Sequence, residues 1–320
     1  MYAAARNLRG GVSPRNTRLR GQSIIEYVLI IAVIGLVIVF AGPGVAGAIR
    51  NQFNLVGNTV NSGTTGGVDG GASGGGSAGA DSATVQAAVA KDAKDWTLDE
   101  QKAVAEDIAA KGEASPAFAK AKAAMDAETK FSVKLTNGQT LEYRIVGINH
   151  DDLADGTGKA GLTFEAINGA MGQQRMNATD TNAGGWEKSE LRGRLNSGDL
   201  WALLPSELQS KAKAVTKMSD NKADGNYGDP SATTDKAFLL SMAEVYGSSY
   251  RDGDQYEYYK SKGVKGSYPH YSGASSDFGH LTRSVSEFDS TNFDRVASNG
   301  YFGSYAKASG HVYVFPAWCF

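Results

Sequence analysis

The chain offers three sets of side chains to chemistry. The first is Gly21-Gln22-Ser23-Ile24-Ile25-Glu26-Tyr27, which sets a carboxylate at the head of an unbroken apolar run over 28–41. An unpaired acid costs about 2.5–3.5 kcal/mol at mid-membrane and less near the interface, so an acid kept there needs a partner and a task. The second is a tyrosine-rich stretch over 246–271, with Tyr246, Tyr250, Tyr256, Tyr258, Tyr259, Tyr268 and Tyr271 set among Gly, Ser and Asp. Tyr joins apolar area to a polar tip, and Tyr/Ser/Gly loops build adaptable recognition surfaces. Tyr250, Tyr256, Tyr258 and Tyr259 are the candidate ligand contacts; the competing reading folds the stretch back and uses half of its rings as local core. The third set, the metal-ligating and nucleophilic residues, is sparse. Cys319 is the single cysteine and sits in an apolar run, where a free thiol is usually buried and inert. His150, His270, His280 and His311 lack metal-type spacing such as His-x-x-x-His. Asp151-Asp152-x-x-Asp155-Gly156 and Asp220-x-x-x-Asp224-Gly225 have neither the spacing nor the terminal Glu of a calcium loop, and Asp, Asn and Gly also make ordinary turns. No Gly-x-Ser-x-Gly elbow or P-loop occurs. No catalytic residue, metal site or cofactor is assigned, and the chain is not expected to be an enzyme.

Composition narrows the partners. With 32 Lys+Arg against 34 Asp+Glu in 320 residues the formal charge is -2, which argues against a nucleic-acid binder. Length suggests about two domains. One cysteine rules out an intramolecular disulfide, so stability must come from a packed core.

The elements that must position these groups begin with the N-terminus. Arg6, Arg9, Arg15, Arg18 and Arg20 precede the apolar segment with no acid among them. As a helix, residues 28–49 would measure roughly 33 Å, enough to span a bilayer core of about 30 Å. The basic flank predicts a cytoplasmic N-terminus, with everything after Arg50 outside. A plain membrane anchor, a secretory signal peptide cut near Ala46-x-Ala48 and a prepilin leader all fit this outline. Glu26 favours the third, because the other two have no use for it. Residues 63–82 are Gly/Ser-rich and read as a flexible tether spanning roughly 25 Å. Residues 83–128 are Ala-rich with nearly cancelling charges and predict helices at 83–95, 98–111 and 116–127. Thr97-x-x-Glu100 is a capping box and Gly112 a C-terminal stop. These helices serve as a stalk or pack on the next domain.

Phe131, Val133 and Leu135, then Asn137-Gly138, then Leu141, Tyr143 and Ile145 read as a hairpin. Short elements follow: a helix over 186–196 with Leu191 and Leu195 inward, a helical turn from Pro205, strands over 211–218 and 236–240, and a short helix capped by Ser241-x-x-Glu244. The apolar end, 311–320, predicts a buried strand beside the first hairpin. Trp186, Arg192 and Arg283 read as core anchors with buried hydrogen bonds.

The segment from Gly21 to Tyr27 with its apolar helix resembles the Flp/Tad-type (type IVb) pilins. The resemblance covers about 18–60. It implies cleavage of the Gly21–Gln22 bond by a prepilin peptidase, and assembly through Glu26 and Tyr27. The Glu26 carboxylate would neutralise the new amine at Gln22 of a neighbouring pilin subunit, a pairing strengthened by low dielectric. Flp pilins are little more than this helix, whereas here about 260 residues follow. A second resemblance is carried by Trp186-x-x-Ser189-x-Leu191-Arg192-x-x-Leu195-Asn196, by Lys236-Ala-Phe-Leu-Leu-Ser241-x-x-Glu244, by Leu281-Thr-Arg283-Ser284 and by the closing Pro316-Ala-Trp-Cys-Phe320. It is to an uncharacterised bacterial surface domain similar to C-type-lectin-like folds of the formylglycine-generating-enzyme type, over about 130–320. Enzymes of that fold use a reactive Cys pair or clustered His, which Cys319 and the scattered His do not supply.

The expected organisation is a leader (1–21), a hydrophobic pilin helix (22–61), a linker (62–82), Ala-rich helices (83–129) and a lectin-like α+β domain with antiparallel hairpins (130–320). The expected role is a minor or tip pilus subunit presenting a recognition or adhesion domain. Its partners would be prepilin peptidase, other pilin subunits, the membrane and a surface glycan or protein. It would pass from a single-pass membrane form to the cell surface. The alternative is a membrane-anchored or secreted binding protein that never polymerises. Glu26→Ala is expected to leave membrane insertion intact and abolish recovery of the chain in sheared surface filaments, as read by immunoblotting of membrane and sheared fractions.

Overall fold

The computed structural model describes residues 82–220, 230–247, 251–266, 272–287 and 289–320. Gly21, Gln22, Glu26 and Tyr27, the apolar helix, nearly all of the tether, and Tyr250 lie outside the described residues. No helix among the described residues is long and apolar enough to cross a membrane.

The described chain is α+β, with short helices and mostly antiparallel sheets. Strands β1 (Phe131–Lys134) and β2 (Thr140–Ile148) form the expected hairpin, with Gly138 at φ +86° in its loop. β3 (Leu162–Ala166) pairs with β2. β4 (Gln173–Gln174) belongs to a second sheet, and β5 (Val215–Ser219) and β6 (Ser231–Asp235) pair with each other. The later strands are β7 (Ala237–Phe238), β8 (His280–Val285), β9 (Asn292–Val296), β10 (Ser304–Lys307), β11 (Val312–Tyr313) and β12 (Ala317–Cys319). The first sheet runs β1-β2-β3-β12-β7 and the second β10-β9-β8-β11-β4.

Two expectations about the C-terminus are corrected. The terminal strand does not lie beside the hairpin, because β3 stands between them. β3 alternates in sequence, with Leu162, Phe164 and Ala166 against Thr163 and Glu165, yet it is buried along its whole length, because its two polar residues face Asp151 and the Arg144–Tyr259 pair rather than water. The end of the chain is also not one strand. β11 pairs in the second sheet and β12 in the first, with Phe315-Pro316 at the crossing. Proline has no N–H for a ladder and suits that break. The last ten residues thereby tie both sheets together, and Trp318, Cys319 and Phe320 are all buried.

The Ala-rich segment packs on the domain rather than standing off as a stalk. Its helices are Ser82–Ala90, Leu98–Lys111 and Phe118–Asp126. The Thr97/Glu100 capping box forms, with Thr97 N donating to Glu100 at 2.7 Å. Trp96 stacks on Phe131, and its Nε1 donates to the Ala88 carbonyl at 2.7 Å. Gln101 reaches the sheet, accepting from the Tyr143 hydroxyl at 3.0 Å. Val104, Ala105 and Ile108 are fully buried. The closest approach is at Gly161, where an added Cβ would lie 1.8 Å from the Ala105 carbonyl oxygen. Backbone cannot yield as a flexible side-chain tip can, so Gly161→Ala is expected to cost about 3 kcal/mol. A lower urea midpoint at unchanged m-value would register it.

Candidate functional site

The expected ligand tyrosines lead to the interior. Tyr256 precedes the short helix Glu257–Ser261, and Tyr258 and Tyr259 lie on it. All three are 2% exposed or less. They are core residues, not an adaptable surface, because this helix packs against β2 and its hydroxyls meet buried charges. The alternative of rings serving as local core is the one that describes these three.

Tyr258 and Tyr259 belong to one charge cluster. Arg144 on β2 donates to the Tyr258 hydroxyl at 2.7 Å and to Glu165 on β3 at 3.2 Å, with its guanidinium 4.0 Å from the centre of the Tyr258 ring. Tyr259 donates to both Glu165 oxygens at 2.9 and 2.7 Å. Burial pushes the Glu165 carboxyl above its usual range despite Arg144.

Tyr256 belongs to a second cluster. Lys217 takes an inward position on β5, between Val215 and Ser219. Its Nζ lies 2.6 Å from Asp151 Oδ1, 2.5 Å from Glu244 Oε1 and 3.1 Å from the Tyr256 hydroxyl. Tyr256 in turn donates to Asp151 at 3.0 and 2.9 Å, and Thr163 donates to Asp151 Oδ2 at 2.5 Å. Arg283 pairs with Glu244 through both terminal nitrogens and donates to the Leu239 carbonyl at 2.9 Å. Burial works against ionisation of Asp151, but Lys217 beside it prevails and holds its pKa below the ordinary value. Glu244 is likewise held down, by Arg283 and then Lys217, against the effect of burial. A backbone detail admits Tyr256: a Cβ on Gly147, where β2 shifts register, would sit 2.7 Å from the Tyr256 ring.

Of the other residues singled out in the sequence, Trp186 and Arg192 converge on the buried Asp235, at 2.9 and 2.6 Å; Trp186 is a buried anchor, whereas Arg192 is only half-buried. Cys319 is a free, buried thiol whose pKa burial raises. The calcium candidates diverge: Asp151 joins Lys217, Asp152 pairs with Lys159, and Asp155 bonds Thr157 in its own turn. Asp224 and Gly225 lie outside the described residues, and among the described residues no group of three His, Cys, Asp or Glu is placed to hold a metal ion. Sequence reasoning missed Lys217 and Asp151 as partners. A lysine at an inward position of an alternating strand was the available signal.

Beside Arg144 lies a cavity of about 150 Å³, lined among others by Lys130, Tyr259, Ser276, Asp277, His280 and Phe315. His280 is 5% exposed and stacks on Phe315 at 4.2 Å. Neither of its ring nitrogens has a side-chain hydrogen-bond partner, the Phe278 backbone being the polar group that acts on the ring, and Arg144 Nε has none. Burial pushes the His280 imidazole down to about 3, so the ring is neutral and offers one donor and one acceptor. With the guanidinium beside it, this cavity suits a small polar group with acceptor oxygens.

A family model described as a domain of unknown function (DUF6273) matches residues 157–320, about half of the chain. The chain belongs to the DUF6273 family. No curated protein and no solved structure matches it. The DUF6273 segment supplies Lys217, Glu244, Tyr256, His280 and Arg283, whereas Arg144 and Asp151 precede it. Both charge clusters are therefore completed from the hairpin and loop ahead of the DUF6273 segment.

The neutral His280 gives a pH test. Its folded pKa, about 3, lies below the ordinary 6.5, so unfolding takes up a proton between those values and stability falls as pH drops through that window. Between about pH 7 and pH 5 the wild-type chain is expected to lose on the order of 2 kcal/mol more than His280→Phe, which keeps the stack on Phe315. Urea titrations of both proteins at the two pH values check this.

Proposed function

We propose that this chain is a prepilin of the Flp/Tad type whose DUF6273 region is displayed as a lectin-like recognition or adhesion domain on the cell surface. The observation that carries the reading is Glu26, an acid five residues after Gly21 at the mouth of an apolar helix. Prepilin peptidase would cut the Gly21–Gln22 bond and retain the helix in the membrane. Helices of neighbouring pilin subunits would then stack, with Glu26 pairing to the amine of Gln22. The Gly-rich tether supports display, since it separates the helix from the folded domain. The α+β architecture is compatible with the lectin-like class. The polar cavity at Arg144 and His280 is where an acidic or hydroxyl-rich group of a surface glycan or protein would seat. The bulk of the domain favours a minor or tip position, because a copy on every subunit would crowd a thin filament.

N-terminal mass spectrometry of the native, cell-associated protein tests this reading. A chain starting at Gln22 is expected. A start at Ile49 would instead mark a removed secretory signal, and an intact Met1 a plain anchor; either would end the pilin reading and favour a surface binding protein that does not polymerise.

A further inference from the structure

The second charge cluster holds the parts of a bond-forming site. Lys217 is the buried lysine among the described residues; the other fully buried cation there, Arg283, is a guanidinium and a poor nucleophile. The Lys217 amine is pressed between two carboxylates, at 2.6 and 2.5 Å, in a region closed to solvent: Asp151, Lys217, Glu244, Thr163 and Tyr256 are all at most 3% exposed. The two carboxylates are held differently. Glu244 receives Arg283 and the Ser241 backbone N–H at 2.9 Å, which fix it as an anion in contact with Nζ. Asp151 has the Lys217 ammonium itself on Oδ1 and otherwise receives neutral hydroxyls, from Tyr256 on both oxygens and from Thr163 on Oδ2. Such donors polarise a carboxyl group and stabilise the oxyanion that forms when a nucleophile adds to it. The Phe238 ring, 4.4 Å from Nζ, walls the remaining side.

We propose that Lys217 Nζ and Asp151 Cγ become joined by an intramolecular isopeptide bond, formed within the folded domain with Glu244 accepting a proton. The ammonium and the carboxylate condense to an amide and one water. The C–N bond forms as Cγ–Oδ2 breaks. Oδ2 becomes the water oxygen, and both water hydrogens come from the ammonium. One proton has a path on the page, from Nζ to the Tyr256 hydroxyl at 3.1 Å and on to Oδ2 at 2.9 Å. Glu244 takes the other as nitrogen attacks and releases it to the departing oxygen, so its carboxylate is regenerated. No oxidant, reductant or co-reactant is required. Proximity does for this reaction what concentration cannot in water, and exclusion of water removes the product that would reverse it. The bond would link positions 66 residues apart, from the loop after β2 to the centre of β5. Such a cross-link restrains the unfolded chain as a disulfide does, in a protein whose single cysteine cannot make one within the chain. This proposal does not depend on the pilin reading.

The test is a tryptic digest of the full-length chain, purified in detergent and read by tandem mass spectrometry. The expected product is a branched peptide of 145–159 joined to 214–222, lighter than the sum of the two by one water, with fragmentation placing the branch on Asp151 and Lys217. Lys217→Arg is expected to yield only linear peptides, and Glu244→Gln to slow appearance of the branch about 100-fold. Linear 145–159 together with 214–217, showing Lys217 free to trypsin, would overturn the proposal without recourse to any variant. A branch from Lys217 to the peptide carrying Glu244 would overturn the assignment of Asp151.

Discussion

A lysine ammonium removed from water is tolerated only if the protein rebuilds its solvation, and much of this fold is arranged around doing so for Lys217. Each group that surrounds it comes from a different part of the chain. Asp151 lies on the loop after β2, Glu244 in the first turn of a short helix, and Tyr256 ahead of another. Arg283 on β8 then balances Glu244, and its own remaining donors are taken by backbone carbonyls of Met218 and Leu239. A buried ion pair broken on one side costs far more than it contributes intact, so these elements are bound to one another's placement.

The same logic extends outward through Tyr256. Its ring needs Gly147, and its neighbours Tyr258 and Tyr259 bring Arg144 and Glu165 into a parallel cluster one step along the sheet. Two polar clusters of this kind leave little room for slippage between β2, β3 and the helix over them. His280 lies buried against Phe315 with no side-chain partner for either nitrogen, at the edge of a cavity where Arg144 Nε also has an unused donor. Unmet polar groups within the core are costly, and here two of them face one cavity.

Helices ahead of the matched family segment are part of the same body. They cover the β1–β2 hairpin through Trp96 and Gln101, and their closest approach is permitted by the missing side chain at Gly161. The C-terminal residues close the other end by entering both sheets in turn.

Local signals were legible in the chain wherever local physics decides. The Thr97 and Ser241 capping boxes, the Asn137-Gly138 hairpin and the inward Leu191 and Leu195 each depend on residues within a few positions, and each forms as read. β3 alternates in sequence, but its central place in the sheet was not legible, because Thr163 and Glu165 read as a solvent face and are instead buried against Asp151 and Arg144. The C-terminal run read as a single strand, because its apolar character marks burial without saying which sheet does the burying. The tyrosine stretch showed amphipathic side chains, but only packing against β2 assigned their hydroxyls to Asp151, Arg144 and Glu165. Lys217 and Asp151 meet across 66 residues of chain, and no spacing rule connects them. Contacts made by short-range hydrogen bonds and periodicity are written in sequence; the pairing of buried charges is set by where the folded chain returns upon itself.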